Sequence, residues 1–435
     1  MKKLLLLSVL FLFINFIPAQ LPCNVLVGYY QSSWGPYVPL SSVNNNYNVF
    51  CISFLEAGGS DGISDNNSVY NLNFYATNDG KLRQDIPVVQ AQGKKVLMSI
   101  GGGTGSFKLN SPAEVTFLVN KVKTVIQTYG LDGIDVDLER PTYLSQNMGG
   151  TVSTPEAHIT YVIDAVQQLL TWYKNAYGKK MILTLVPEVA YTTGGLSPYM
   201  SAVYGAAYLP IIETLKNDID LLMIQLYNAS GGNYALDGMV YNHGTPDFII
   251  SQTEAIIKGF ACTNGKGVFS GISPSQIAVC LPASAGSADG YIGTAAVKMA
   301  MDYLRGTGPK PGMYTLKKAG GYPEIHGMAT WSINNDLTTG YSYAANYATI
   351  FSSCLTTNIT ENEKSNTPLI YPNPANTQIT IENISGVPLK IFNAVGQLVL
   401  EKTITNEKNS IDISHLTPGL YLIQTGNAVQ KLMVD

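Results

Sequence analysis

A chain of 435 residues is long enough for one large domain and a smaller one. Its net charge of −4, with only 13% charged residues, offers no basic footprint for nucleic acid and no polybasic patch for a membrane surface. Five cysteines are too few for a disulfide scaffold and the four histidines are scattered, so a metal site is not expected. If any two cysteines join, Cys262 with Cys280 is the expected pair.

The chain opens as an exported protein. Lys2 and Lys3 precede the apolar run Leu4 to Ile14, and Ala19 suits a signal peptidase, so residues 1–19 read as a signal peptide. Pro22 before Cys23 argues against a lipid anchor. No later stretch is long enough to span a membrane, which predicts a soluble, secreted product. Eight apolar, β-rich runs follow: Val25–Tyr30, Val49–Leu55, Lys95–Gly101, Gly133–Glu139, Met181–Pro187, Leu221–Tyr227, Ile277–Leu281 and Gly327–Ile333. Amphipathic helices are clearest at Ala113–Tyr129, Pro155–Tyr177 and Asp247–Phe260. Apolar strands alternating with helices predict an α/β chain with a parallel sheet, and eight of them fit a (β/α)8 TIM barrel.

The fourth run carries the chemistry. In an extended strand, side chains alternate faces, so Asp135, Asp137 and Glu139 point one way while Ile134, Val136 and Leu138 point the other. Three carboxyl groups on one face cannot all ionise cheaply, and the member with least solvent is expected to keep its proton. A carboxyl still protonated near neutral pH is what general-acid chemistry requires. A solvated strand edge or a calcium site would not need the apolar alternate face.

Barrel chemistry sits at the carboxyl ends of the strands. Polar and aromatic residues gather there: Tyr29 and Trp34, Phe54, Ser99 to Gly102, Glu139, the co-facial set Met223, Gln225 and Tyr227, and Trp331. These residues carry a resemblance. Asp132 to Glu139 matches the DGxDxDxE motif of glycoside hydrolase family 18, the chitinase family. Ser99-Ile100-Gly101-Gly102 is similar to its SxGG motif, Met223 to Asn228 resembles its strand-six motif, and Trp331 falls where the family has its subsite-floor tryptophan.

The resemblance implies hydrolysis of β-1,4 links next to N-acetylglucosamine with retention, the substrate's own acetamido group serving as nucleophile. It makes Glu139 the general acid and Asp137 the residue that orients the acetamide, with Asp135 behind it and Tyr227 on the acetamido oxygen; these four are the expected catalytic set. Tyr29, Phe54, Ser99, Gly102, Met223, Gln225, Asn228 and Trp331 are the expected substrate-binding set, Ser99 supporting the buried aspartates. No metal or organic cofactor is needed. The partners implied are chitin or N-acetylglucosamine oligosaccharides, with no nucleic acid, and the enzyme is expected to be a monomer.

Several loop residues extend the list. Glu188 either binds substrate at the cleft rim or is merely solvated. Trp34, Tyr37, Tyr143 and Tyr191 are candidates for outer sugar subsites, among 27 tyrosines in all. The stretch between Leu281 and Gly327 leaves little room for an added α+β insertion, which favours a shallow cleft and endo action.

Composition shifts after Cys354, giving a barrel over 24–354, a polar linker over 355–367 and a last unit over 368–435. Short alternating strands, Gln378–Glu382, Leu389–Phe392, Gln397–Glu401, Ser410–Ile413, Leu420–Gln424 and Val429–Val434, predict a small all-β sandwich. Tyr371 to Pro374, Asn393 to Gln397 and Leu416 to Tyr421 resemble the type IX secretion C-terminal sorting domain. That implies the secretion machinery as a partner and an extracellular product, released or held at the cell surface. With no tryptophan, the tail makes a poor carbohydrate-binding module. Two rivals to a secreted chitinase remain: an endo-β-N-acetylglucosaminidase acting on N-glycans, and a non-catalytic chitin-binding lectin, which typically lacks the glutamate present here as Glu139.

Overall fold

The computed structural model describes residues 21–58, 68–139, 150–199, 206–351, 369–382, 386–393, 396–406, 408–425 and 428–435. The expected signal peptide, Tyr143, Cys354 and the expected linker lie outside the described residues.

Eight parallel strands form the main sheet of the larger unit: β1 (Val25–Gln31), β2 (Val49–Glu56), β3 (Lys95–Gly101), β4 (Gly133–Asp137), β5 (Ile182–Leu185), β6 (Leu221–Leu222), β7 (Ala278–Pro282) and β8 (Gly327–Trp331). They pair in parallel in the order β7-β8-β1-β2-β3-β4-β5-β6. Parallel bridges Leu222 to Ile277 and Gln225 to Cys280 close β6 onto β7. The sheet is therefore a barrel, and every expected strand is in it.

Helices cover its outside: α1 (Asp79–Ala91), α2 (Pro112–Tyr129), α3 (Ala157–Tyr177), α4 (Leu209–Leu215), α5 (Pro246–Lys258), α6 (Thr294–Leu304), α7 (Ile333–Thr338) and α8 (Ser342–Ile350). Their starts and stops are written locally. α2 begins with Ser111 accepting from the Glu114 N–H and a proline in its first turn, and ends at Gly130 with φ +66°. α5 repeats the start with Thr245 and Pro246.

The period-two alternation sorts the strand residues into two cores. Leu26 and Tyr30 of β1, Met98 and Ile100 of β3, and Ile134 and Val136 of β4 pack outward under the helices. Val25, Val27, Tyr29, Cys51, Leu97, Met223 and Cys280 fill the barrel interior. Gly133 lets β4 and β5 approach closely, because a Cβ there would strike the Ile182 carbonyl. Between β7 and β8 the chain forms α6 and a loop, with no further sheet among the described residues.

Cysteine pairing departs from expectation. Cys262 and Cys280 are free, as is Cys51. Cys280 is an inward barrel residue, whereas Cys262 packs on the outer core, so the sheet wall separates them. Among the described cysteines, Cys23 is disulfide-bonded.

The smaller unit begins after Cys354. It contains β9 (Leu369–Tyr371), β10 (Gln378–Glu382), β11 (Val387–Asn393), β12 (Leu398–Ile404), β13 (Lys408–Asp412), β14 (Gly419–Thr425) and β15 (Ala428–Val434). Antiparallel sheets β9-β10-β13 and β12-β11-β14-β15 enclose a core of Ile379, Ile381 and Ile411 from one and Leu389, Ile391 and Ile423 from the other. Within this unit, β9 is the strand that sequence reading missed, being three residues long and followed at once by Pro372.

Candidate active site

β4 sits between β3 and β5 with Asp135 opposite both Ser99 and Thr184. Those neighbours hold it: Ser99 Oγ donates to Asp135 Oδ2 at 2.7 Å, Tyr29 Oη to Oδ2 at 2.9 Å and Thr184 Oγ1 to Oδ1 at 2.5 Å. Burial pushes the Asp135 carboxyl up to about 6, while the three hydroxyls pull it down by stabilising the anion.

Asp137 lies next on the same face. Burial, reinforced by Glu139, Asp135 and Glu188, raises its pKa well above the usual carboxylate range, against one amide donor, Gln225 Nε2, at 3.0 Å. Both buried aspartates are thus pushed toward the protonated form, Asp137 with fewer donors to its anion. Asp135 is the less exposed of the two aspartates, and its three hydroxyl donors offset part of the burial that raises its pKa.

The strand stops at Asp137, and two hydroxyls carry the backbone onward. Tyr208 Oη accepts from the Leu138 N–H at 2.7 Å, and Ser106 Oγ accepts from the Glu139 N–H at 2.7 Å. Glu139 is so presented beside Asp137, with Gln225 Nε2 also donating to its Oε1 at 3.2 Å. Gln225 is fixed in turn by donating to the Val186 carbonyl at 3.1 Å. The tight turn after β3 gives Glu139 room: Gly101 and Gly102 have φ of +110° and +82°, and a Cβ at Gly103 would come 3.1 Å from Glu139 Oε2.

These groups open onto a cavity of about 370 Å³. Asp137, Glu139, Tyr29, Phe54, Gln225, Tyr227, Asn228 and Trp331 line it, together with Trp34, Glu56, Gly103, Thr104, Val186 and Glu188. Phe54 and Trp331 stack with centroids 5.7 Å apart and planes 17° apart, and Trp34 stacks on Phe54 at 6.0 Å. Together they make an aromatic shelf suited to the flat face of a sugar.

Other expected residues lie elsewhere. Ser99 and Met223 are fully buried beneath the cavity, and Gly102 packs against the Phe54 ring. Asn228 reaches the wall, but its Oδ1 accepts from the Asp289 N–H at 2.9 Å, tying the loop after β7 to the end of β6. Tyr191 is 0% exposed and offers no surface to a sugar, whereas Trp34 and Tyr37 are 40% and 46% exposed. Sequence reading missed Glu56 and Thr104 on the wall and Thr184, Ser106 and Tyr208 behind it. For Thr184 a signal existed, since an inward hydroxyl on the strand next to Asp135 is the same device as Ser99.

Residues 25–352 match the model of the Glycosyl hydrolases family 18. The chain belongs to that family. Residues 369–434 match the Secretion system C-terminal sorting domain. The family 18 chain is 35% identical over 328 residues to a chitinase of Paenibacillus xylanexedens, covering 74% of this chain and 60% of that one. It is 31% identical over 418 residues to chitinase ChiA of Flavobacterium johnsoniae, covering 91% of this chain and 26% of that one. It thus spans less than two thirds of the length of these curated relatives. Among solved structures, a family GH18 chitinase from Chromobacterium violaceum aligns with a TM-score of 0.65 at 29% identity, covering 79% of this chain and 91% of that one.

Proposed function

We propose that this family 18 chain is a secreted chitinase that cleaves β-1,4 links between N-acetylglucosamine units by a retaining, substrate-assisted route, within the chain rather than from its ends. The observation that carries the reading is the row Asp135, Asp137 and Glu139, with Gln225 bridging its last two members on the wall of an aromatic-floored cavity.

Glu139 gives its proton to the glycosidic oxygen while the acetamido carbonyl of the bound sugar closes on the anomeric carbon, so the leaving sugar departs as an alcohol. Asp137, within reach of the acetamide, orients it and stabilises the positive charge that develops as the oxazolinium ring forms. Asp135, held in place by its three hydroxyl donors, can share the Asp137 proton. Water then opens the ring, with Glu139 taking its proton back. Tyr227 holds the acetamido oxygen. The tail is read as the address for type IX secretion, delivering the enzyme outside the cell.

The test is hydrolysis of chitin oligosaccharides of increasing length, beside a high-mannose glycoprotein. Oligosaccharide cleavage whose first product is the β-anomer supports the reading. An initial α-anomer, or cleavage of the glycoprotein alone, overturns it.

A further inference from the structure

The cavity wall carries a carboxylate for which the reaction has no use. Glu56 closes β2, its backbone opposite Asn73, while the Ala57 N–H beside it donates to Gly105 O at 2.8 Å. The side chain lies over Gly105, where an added Cβ would come 2.6 Å from Glu56 Oε2. It faces the cavity with Glu139 and Glu188, and among the described residues no hydrogen-bond donor or cation meets it. No Lys, Arg or His is among the described residues of that wall. Burial alone raises the Glu56 pKa.

A half-buried carboxylate without a partner is a cost to the free protein, and a cationic ligand removes it whereas a neutral sugar does so only in part. Chitin and its deacetylated form differ at one position, where the acetamide becomes an amine that is protonated at mildly acid pH. We propose that Glu56 is a specificity residue that binds this ammonium, so that the cleft takes partly deacetylated chitin with a glucosamine unit beside the reacting sugar. The proposal rests on the chitin-cleaving reading of the site. The reacting sugar must keep its acetamide, since that group is the nucleophile. A fully deacetylated oligomer is therefore bound and not cleaved.

The experiment compares kcat/KM of the full chain and its Glu56→Gln variant on fully acetylated and on partly deacetylated chitin oligomers. The expected result is that the substitution lowers the ratio of deacetylated to acetylated kcat/KM by about fivefold, as loss of one partly buried ion pair implies. Products should also lose their enrichment in glucosamine next to the new end. An unchanged ratio, whether both rates fall or neither does, overturns the proposal. Calorimetric binding of a glucosamine tetramer to the Glu139→Gln chain, with and without Glu56→Gln, separates the two readings. Weaker binding without Glu56 supports the site even if chitin itself is not cleaved, and equal binding overturns it.

Discussion

Glu139 and Asp137 stand next to each other on one face, yet their environments assign them different work. Glu139 reaches the cavity with Gln225 beside it, so Glu139→Gln, which cannot donate a proton, should lower kcat by about 10²-fold to 10⁴-fold with little change in KM. A variant retaining full turnover would remove the general-acid role. Asp135 has a stability signature instead. Its folded value of about 6 lies above the about 3.9 of an unfolded chain, so the fold favours the protonated form. That contribution is complete below about pH 4 and is lost as pH rises through about 6. Asp135→Asn should therefore flatten the stability profile across that window by on the order of 2 kcal/mol, read from urea midpoints at its two ends. A parallel profile would mean that the three hydroxyls fully offset burial. The carboxylate row was legible because period two is a property of sequence. Glu56 was not, because one glutamate at the end of a strand has no pattern, and Tyr191 misled because its loop folds inward.

At the scale of elements, the active end of β4 is a strand that has run out of strand partners. Hydroxyls from Tyr208 and Ser106 take the N–H groups of Leu138 and Glu139. Tyr208→Phe leaves the Leu138 N–H buried without this acceptor, which costs about 1–3 kcal/mol of stability. It should also lower kcat by about tenfold or more by letting Glu139 drift, measured against unchanged circular dichroism. Turnover equal to the parent would show that β4 alone places Glu139. All eight strands were legible as apolar runs. α1 was not, since Pro87 interrupts its pattern, and the Tyr208 contact joins residues 70 apart that no local signal connects.

For the whole molecule, the barrel cores and the tail core draw on different residues. Deleting residues 369–434 should leave chitin hydrolysis by the purified protein unchanged while retaining the protein inside cells that carry a type IX system. Lost hydrolysis in the purified truncation would assign the tail a part in catalysis.

Cys51 and Cys280 lie inside the barrel beneath the aspartates, 0% exposed, and Cys262 packs outside its wall. A thiol-reactive dye meets the inner pair only when strands part, so its slow uptake counts openings of the catalytic floor under native conditions. Cys262 labels on its own schedule. The chain thus carries two clocks, one for the barrel floor and one for its jacket, and a bound oligosaccharide should slow the first more than the second.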